Sequence, residues 1–363
     1  MRADPAWSRR AFCRSLLGVA AIAPLGACAR LPGLPLASRF GGAGGDAALL
    51  LPTSGAAAGL GENMARAASL VVAGKDGKTP VFDTKDTPEG ARGAAEAALA
   101  EGARMLFGPL RATQTPAVLA AAGEIPVVTF SNDDRLAGQG AFVMGVTPAQ
   151  SVAATFSYAR SQGVRRVAVV AAPGPLGEAT ALAARELASA GGLALTATLT
   201  RSSGAPGLAE ALRSASGGKL PDAVFLPDGG RDLAAFAAAL SGAGPRLMGG
   251  VQWGLDVTSV AGLEGAWFAA PPPERLLPFF DVFQTRFGAE AGVVAALGHD
   301  AALVAATLGG SRTLDRAGLL RAEGFEGALG RFRFLESGRC QRDLAVLTVE
   351  GGEIVAIGEV SGT

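Results

Sequence analysis

The chain has 363 residues, 49% of them hydrophobic and 18% charged, a length and balance that suit about two α/β domains with separate cores. Lys+Arg and Asp+Glu are both 32, so the formal net charge is zero and the basic excess that a nucleic-acid partner needs is missing. A single histidine, His299, and three cysteines leave no ligand set for a metal centre, no triad and no disulfide framework.

Residues 1–28 read as an export signal. Ser8-Arg9-Arg10-Ala11-Phe12 resembles the twin-arginine motif, with Cys13 and Arg14 where Leu and Lys are usual. The weakly apolar run Ser15–Ala23 that follows is too short to span a bilayer. Leu25-Gly26-Ala27-Cys28 resembles a bacterial lipobox, which implies lipid on Cys28 and a periplasmic protein anchored to a membrane. Ala29 in place of Asp after that cysteine favours the outer membrane. An ordinary signal cut nearby, with Cys28 incidental, is the alternative, and export follows from both. Residues 29–45 are Gly, Pro, Ala and Leu, a flexible tether. Cys340, near a turn and without a histidine neighbour, reads as a surface or structural residue rather than a nucleophile.

The folded part begins at Asp46. Ala47–Leu51 is an apolar run of the kind buried on both faces of a sheet, and Thr53-Ser54-Gly55 turns it toward a helix pattern. Ser54 either caps that helix or joins the N–H groups of its first turn in holding an anion such as a carboxylate. The glycines of Gly59–Met64 lack the third glycine of a dinucleotide fingerprint, and no cofactor is expected. Pro80–Thr84 is a second strand, followed by a helix ending at Gly102. Met105–Asn132 then runs as strand, Gly108-Pro109 turn, amphipathic helix and strand. In parallel sheets ligands sit at the carboxyl ends of strands, which makes Gly108–Thr113 and Ser131-Asn132 a candidate crevice wall.

Phe142–Val146 is a short strand, and Thr147-Pro148 opens a long helix. From there the alternation starts again, with strands at 165–172, 193–200, 222–227 and 245–250 separated by helices. Two doubly wound parallel-sheet halves joined near Pro148 is the economical arrangement. Beyond Gly250, Trp253 and Trp267 are available for a cleft wall or for core packing. Pro271-Pro272-Pro273 breaks any helix and suits a crossing between the halves. Helical patterns at Pro278–Phe287 and Val293–Leu308 precede Gly324–Phe334 and a closing hairpin turned at Gly351-Gly352. His299 and Asp300 are adjacent at a helix start and point in different directions, so a packed or capping histidine is expected. No acid, base and nucleophile set converges, and the chain is not expected to be an enzyme.

The ordered set ALLLPTSG, FGPLRAT, IPVVTFSN, FVMGVTP, GPLGEAT, GHDAALVAA and FEGALGRFRF resembles the type I periplasmic binding proteins, the fold of the leucine/isoleucine/valine-binding proteins. The resemblance covers nearly the whole chain after the tether. It implies two α/β lobes joined by a multi-strand hinge: lobe 1 over 46–147 plus 274–325, lobe 2 over 148–273 plus 326–363 with the hinge return. The segments LMGGVQWG, GAWFAAPPPE and GFEGALGRFRFLESG with RDLAVLTVEGG, beside the lipobox, are closer to the LppC/YraM-type lipoproteins, called penicillin-binding-protein activators. In amino-acid-binding relatives the positions of Ala112, Thr113, Ser131 and Asn132 hold the ligand's carboxylate and amine. Leu176 stands where those relatives carry an aromatic, and Gln252 near where an acid would meet the ammonium.

The ligand-binding set expected is therefore Ser54, Gly108, Ala112, Thr113, Ser131, Asn132, Leu176, Gln252 and Trp253. The resemblance implies a non-catalytic lipoprotein that regulates peptidoglycan synthesis or envelope growth through a penicillin-binding protein. The alternative is the substrate-binding lipoprotein of an ABC importer, working with a permease. The ligand would be an amino acid, a related small solute or a peptidoglycan fragment, and the cleft of the regulatory protein need hold none.

Overall fold

The computed structural model describes residues 47–73, 77–202 and 206–363. The expected signal, the lipid-bearing Cys28 and the tether lie outside the described residues. Five short parallel strands build the first sheet: β1 (Ala48–Leu51), β2 (Val81–Asp83), β3 (Leu106–Phe107), β4 (Val127–Thr129) and β5 (Phe142–Val143), in the order β2-β1-β3-β4-β5. Between them run α1 (Ala58–Ala68), α2 (Pro88–Ala100) and α3 (Thr115–Ala122), the last entered by a 3₁₀ turn over Ala112–Gln114. The start of α2 shows why the chain turns helical there. Thr87 accepts the Gly90 N–H on its hydroxyl, Pro88 occupies the first turn and Glu89 faces the positive end of the helix dipole. Ala91, Ala94, Ala95 and Ala98 then recur at helical spacing and pack on Leu50 and Leu106.

The second sheet takes β6 (Arg166–Ala171), β7 (Ala194–Thr200), β8 (Ala223–Leu226), β9 (Arg246–Gly249) and β10 (Trp267–Ala270), with α4 (Pro148–Ser161), α5 (Pro175–Gly191), α6 (Leu208–Ala215) and α7 (Gly230–Leu240) on its faces. Its order is β15-β14-β10-β9-β8-β6-β7, where β14 (Leu344–Glu350) and β15 (Glu353–Val360) form an antiparallel edge. The hairpin turns at Gly351 (φ 60°) and Gly352 (φ 77°), the two positive dihedrals a tight hairpin needs.

Between β10 and β14 the chain returns to the first lobe. Pro272 and Pro273 do not break a helix there. Pro273 is the first residue of α8 (Pro273–Phe287), where the missing N–H is one the helix would leave unpaired anyway. Helix α9 (Val293–Ser311) is long and apolar enough by length and composition to cross a membrane, yet Ala296, Ala301 and Val304 are fully buried beside Leu49, Met64 and Phe107. After the single turn α10 (Arg316–Leu319) comes a three-stranded antiparallel sheet, β11 (Phe325–Gly327), β12 (Gly330–Phe334) and β13 (Cys340–Arg342). The lobe boundary expected at 326 is displaced by this sheet. Phe325, Phe332 and Phe334 pack in the first core, and the chain joins the second sheet only at Leu344. Cys340 is buried in β13 rather than at the surface, and burial pushes its thiol up to about 11.

Three crossings thus join the lobes: Met144–Thr147, Ala270–Pro273 and Arg342–Leu344. They are tied to one another. Arg342, fully buried, donates from Nη2 to the Met144 carbonyl (3.1 Å) and from Nη1 to that of Leu329 (3.3 Å). Gln150, in the capping box that starts α4, donates to the Cys340 carbonyl at 2.7 Å. Thr363 and Arg342 exchange backbone hydrogen bonds of 3.0 and 3.1 Å. Helix α9 also approaches α1 so closely that a Cβ on Gly298 would run into the Met64 carbonyl. Gly298→Ala is expected to lower stability by about 1–3 kcal/mol through overpacking, which urea denaturation of the two proteins measures.

Candidate functional site

Parallel strands all release their chains at one edge, so the loops after β1, β2, β3 and β4 gather at one face of the first lobe and those after β6, β8 and β9 at one face of the second. The crossing Met144–Thr147 leaves the first set and borders the second. The walls face each other: Arg135, after β4, feels the charge of Glu178 in the first turn of α5.

The first wall is largely occupied with itself. Asp83 ends β2 and takes the N–H groups of Thr53 (3.0 Å), Ser54 (3.1 Å) and Lys85 (2.9 Å) on Oδ1 and the Ser54 hydroxyl (2.6 Å) on Oδ2. This is the geometry of an anion site whose occupant is the protein's own carboxylate. Ser54 is therefore neither a helix cap, since Ala57 holds that position, nor a free ligand donor. Burial pushes the Asp83 carboxyl up, but the Ser54 hydroxyl and the three backbone donors outweigh it and hold the group below its ordinary value. Lys85 (φ 52°) and Asp86 (φ 53°) follow in left-handed backbone, uncommon for such residues. That turn aims Asp86 at Arg111, which grips it with two parallel bonds, Nη2 to Oδ2 at 2.9 Å, while Gln114 adds a third at 3.2 Å. The Arg111 guanidinium holds the Asp86 carboxyl below its usual range.

The other expected residues of this wall divide. Gly108 (φ 123°) is structural, because it passes so near Leu50 that a Cβ would meet the Leu50 carbonyl. Ala112 packs partly buried against Leu136 and Val143. Ser131 is buried, and its hydroxyl accepts the Asp133 N–H at 3.1 Å. Thr113, exposed, and Asn132, half-buried, have side chains without a hydrogen-bond partner among the described residues.

The second wall holds a recess of about 240 Å³, counting the space open to solvent. Val146, Leu176, Phe225 and Val251 give it an apolar lining, with Thr147, Ser151, Thr180 and Gln252 beside them and no charged side chain. Leu176 and Gln252 thus fall in one place with residues that sequence reasoning missed. Ser151 sits in the first turn of α4, ahead of an Ala-containing run, where nothing in the spacing marks it. Gly250 is needed because a Cβ there would lie 2.6 Å from Ser151 Oγ. Trp253 does not line the crevice. It is buried, stacks on Phe268 with ring centres 5.6 Å apart and donates from Nε1 to the Leu226 carbonyl at 2.8 Å.

His299 and Asp300 do not diverge as expected: Nδ1 and Oδ1 are 3.0 Å apart. The Asp300 carboxylate, fully buried, also takes the N–H groups of Ala328 (2.6 Å) and Leu329 (3.1 Å), which makes the pair a brace for the β11–β12 turn. Among the described residues no group of three His, Cys, Asp or Glu side chains is placed to hold a metal ion.

A family model described as "Periplasmic binding protein" matches residues 47–353. Solved structures share the fold. A putative branched-chain amino acid ABC transporter protein from Rhodospirillum rubrum superposes with a TM-score of 0.74 at 21% identity, over 86% of this chain and 99% of that one. The branched-chain amino acid transporter substrate-binding protein of Streptococcus pneumoniae, in complex with isoleucine, gives 0.63 at 20% identity over 87% and 99%. A solute-binding protein of an ABC transporter from Rhodopseudomonas palustris, in complex with benzoate, gives 0.63 at 20% over 87% and 96%. No curated protein matches the chain.

Asp83→Ala is expected to cost about 1–3 kcal/mol at neutral pH, because several N–H groups lose their shared acceptor. A carboxyl held low in the folded state stabilises above its unfolded value and stops doing so as the pH falls through the folded one. The gap between variant and wild type in denaturant titrations should therefore close as the pH is taken below 3.8.

Proposed function

The chain belongs to the periplasmic binding protein family, and from that premise we propose that it is a non-catalytic solute-binding protein that closes its two lobes on a small molecule and delivers it to an ABC permease. The observation that carries this reading is the uncharged recess at the strand ends of the second lobe, opposite a wall that keeps the Thr113 and Asn132 side chains unpaired. Three crossings laced by Arg342 and Gln150 supply the hinge on which such closure turns. The relatives solved with isoleucine and with benzoate support a small carboxylate as the class of ligand. Lipid on Cys28, and an outer-membrane position, remain part of the proposal on sequence grounds alone.

The alternative role, activation of a peptidoglycan synthase, draws on LMGGVQWG and GAWFAAPPPE. Those segments have a packing explanation: Trp253 and Phe268 stack in the core, and Trp267 lies edge-on to Tyr158 with ring centres 5.1 Å apart. The importer reading is favoured for that reason.

A panel of small carboxylates and amino acids should contain a solute that raises the melting temperature of the purified protein, by about 2.7 kcal/mol of linkage at a hundredfold excess over Kd. Thr113→Ala should weaken that solute roughly two- to tenfold, the worth of one hydrogen bond, without changing the stability of the free protein. A silent panel together with capture of a peptidoglycan synthase by the purified protein would overturn the importer reading in favour of the regulatory one.

A further inference from the structure

The two walls of the crevice differ in a way that bears on which carboxylate enters, granted the solute-binding reading above. The carboxylates of the first wall near β1 and β2 are already matched, Asp83 by four donors and Asp86 by Arg111 and Gln114. The recess of the second wall carries neither a carboxylate nor a cation. An ammonium group brought into it would lose its water and meet no counter-charge. The acid nearest in sequence, Asp228, follows Pro227 but is not part of the lining, and its Oδ2 accepts the Ala172 N–H at 2.8 Å at the end of β6.

Of the polar side chains that line the recess, Thr147 and Thr180 are hydrogen-bonded to their own helices and Gln252 is exposed, which leaves Ser151. Ser151 is only 4% exposed, it lines the space, and its hydroxyl has no hydrogen-bond partner among the described residues. Gly250 leaves that hydroxyl uncovered, since a Cβ there would press on both Cβ and Oγ of Ser151, each 2.6 Å away. The hydroxyl is open to the recess, where water or a ligand atom can pair with it. It can donate to a neutral oxygen without requiring a charge.

We propose that the crevice selects small apolar carboxylates that carry a neutral oxygen next to the carboxylate, the 2-oxo acid class, rather than the corresponding amino acids. Ser151 Oγ donates to the ligand's oxo oxygen. The hydrocarbon end lies on Leu176, Phe225 and Val251, and the carboxylate faces Thr113 and Asn132.

Three probes with one carbon skeleton separate the possibilities: ketoisocaproate with an oxo group, isocaproate with none and leucine with an ammonium. Calorimetric titration should give ketoisocaproate the lowest Kd, with leucine weaker by about tenfold or more, as expected when a charged group is left unpaired. Ser151→Ala should bring ketoisocaproate to the affinity of isocaproate while leaving the melting temperature of the free protein in place, because the hydroxyl has no internal partner to lose. Leucine as the tightest of the three, or equal affinity for ketoisocaproate and isocaproate in the wild-type protein, overturns the assignment and leaves the solute-binding reading standing. Binding of none of the three overturns the assignment too, and whether the wider solute panel is also silent decides the fate of the solute-binding reading separately.

Discussion

A fully buried guanidinium governs the place where the chain passes between its two sheets. Burying Arg342 would be prohibitive if its donors were idle, and the fold meets that cost with carbonyls drawn from separate segments, Met144 in the first crossing and Leu329 in the β11–β12 turn, and with the face of Phe332 at 4.7 Å. The same turn is held from its other side, where Asp300 accepts the Ala328 and Leu329 N–H groups. The crossing and the turn are fixed relative to each other, and the strand ends that make the crevice inherit their positions from them.

Because the crossings set the position of the walls, the walls themselves are free to differ in chemistry. The first is built of charges that answer one another within a few residues of the strand ends. The second is built of β-branched, leucine and phenylalanine side chains around one hydroxyl. On the proposed reading, a ligand between them would be held by shape and a few neutral hydrogen bonds, with each wall contributing a different part of the recognition.

The strands were legible because parallel sheets bury both faces, and runs such as Ala48–Leu51 and Val167–Ala171 leave no other home for their side chains. The hairpin at Gly351-Gly352 was legible because two positive dihedrals in a row call for glycine. What the sequence left open was which partner each element would find. Alternating phenylalanines in β12 announce a strand but not the core it joins, which is the first, while the chain enters the second sheet only at Leu344. Trp253 suits a cleft or a core equally well until Phe268 is seen to stack on it. Ser54 lost both of its expected roles to Asp83, a residue 29 positions away that only the pairing of β1 with β2 brings near. The Ser151 hydroxyl was illegible for the same reason: a serine in an alanine-rich helix gains meaning only when Gly250 arrives beside it.

The self-matched charges of the first wall bear finally on the speed of capture. Asp86 is locked to Arg111 and Asp133 to Arg135, so these charges at the strand ends of the first wall answer one another locally. On the proposed reading, such locally matched pairs would add little long-range pull on an anionic solute, and the salt dependence of its capture would be weak. Selectivity would then reside in how long the solute stays rather than in how fast it arrives.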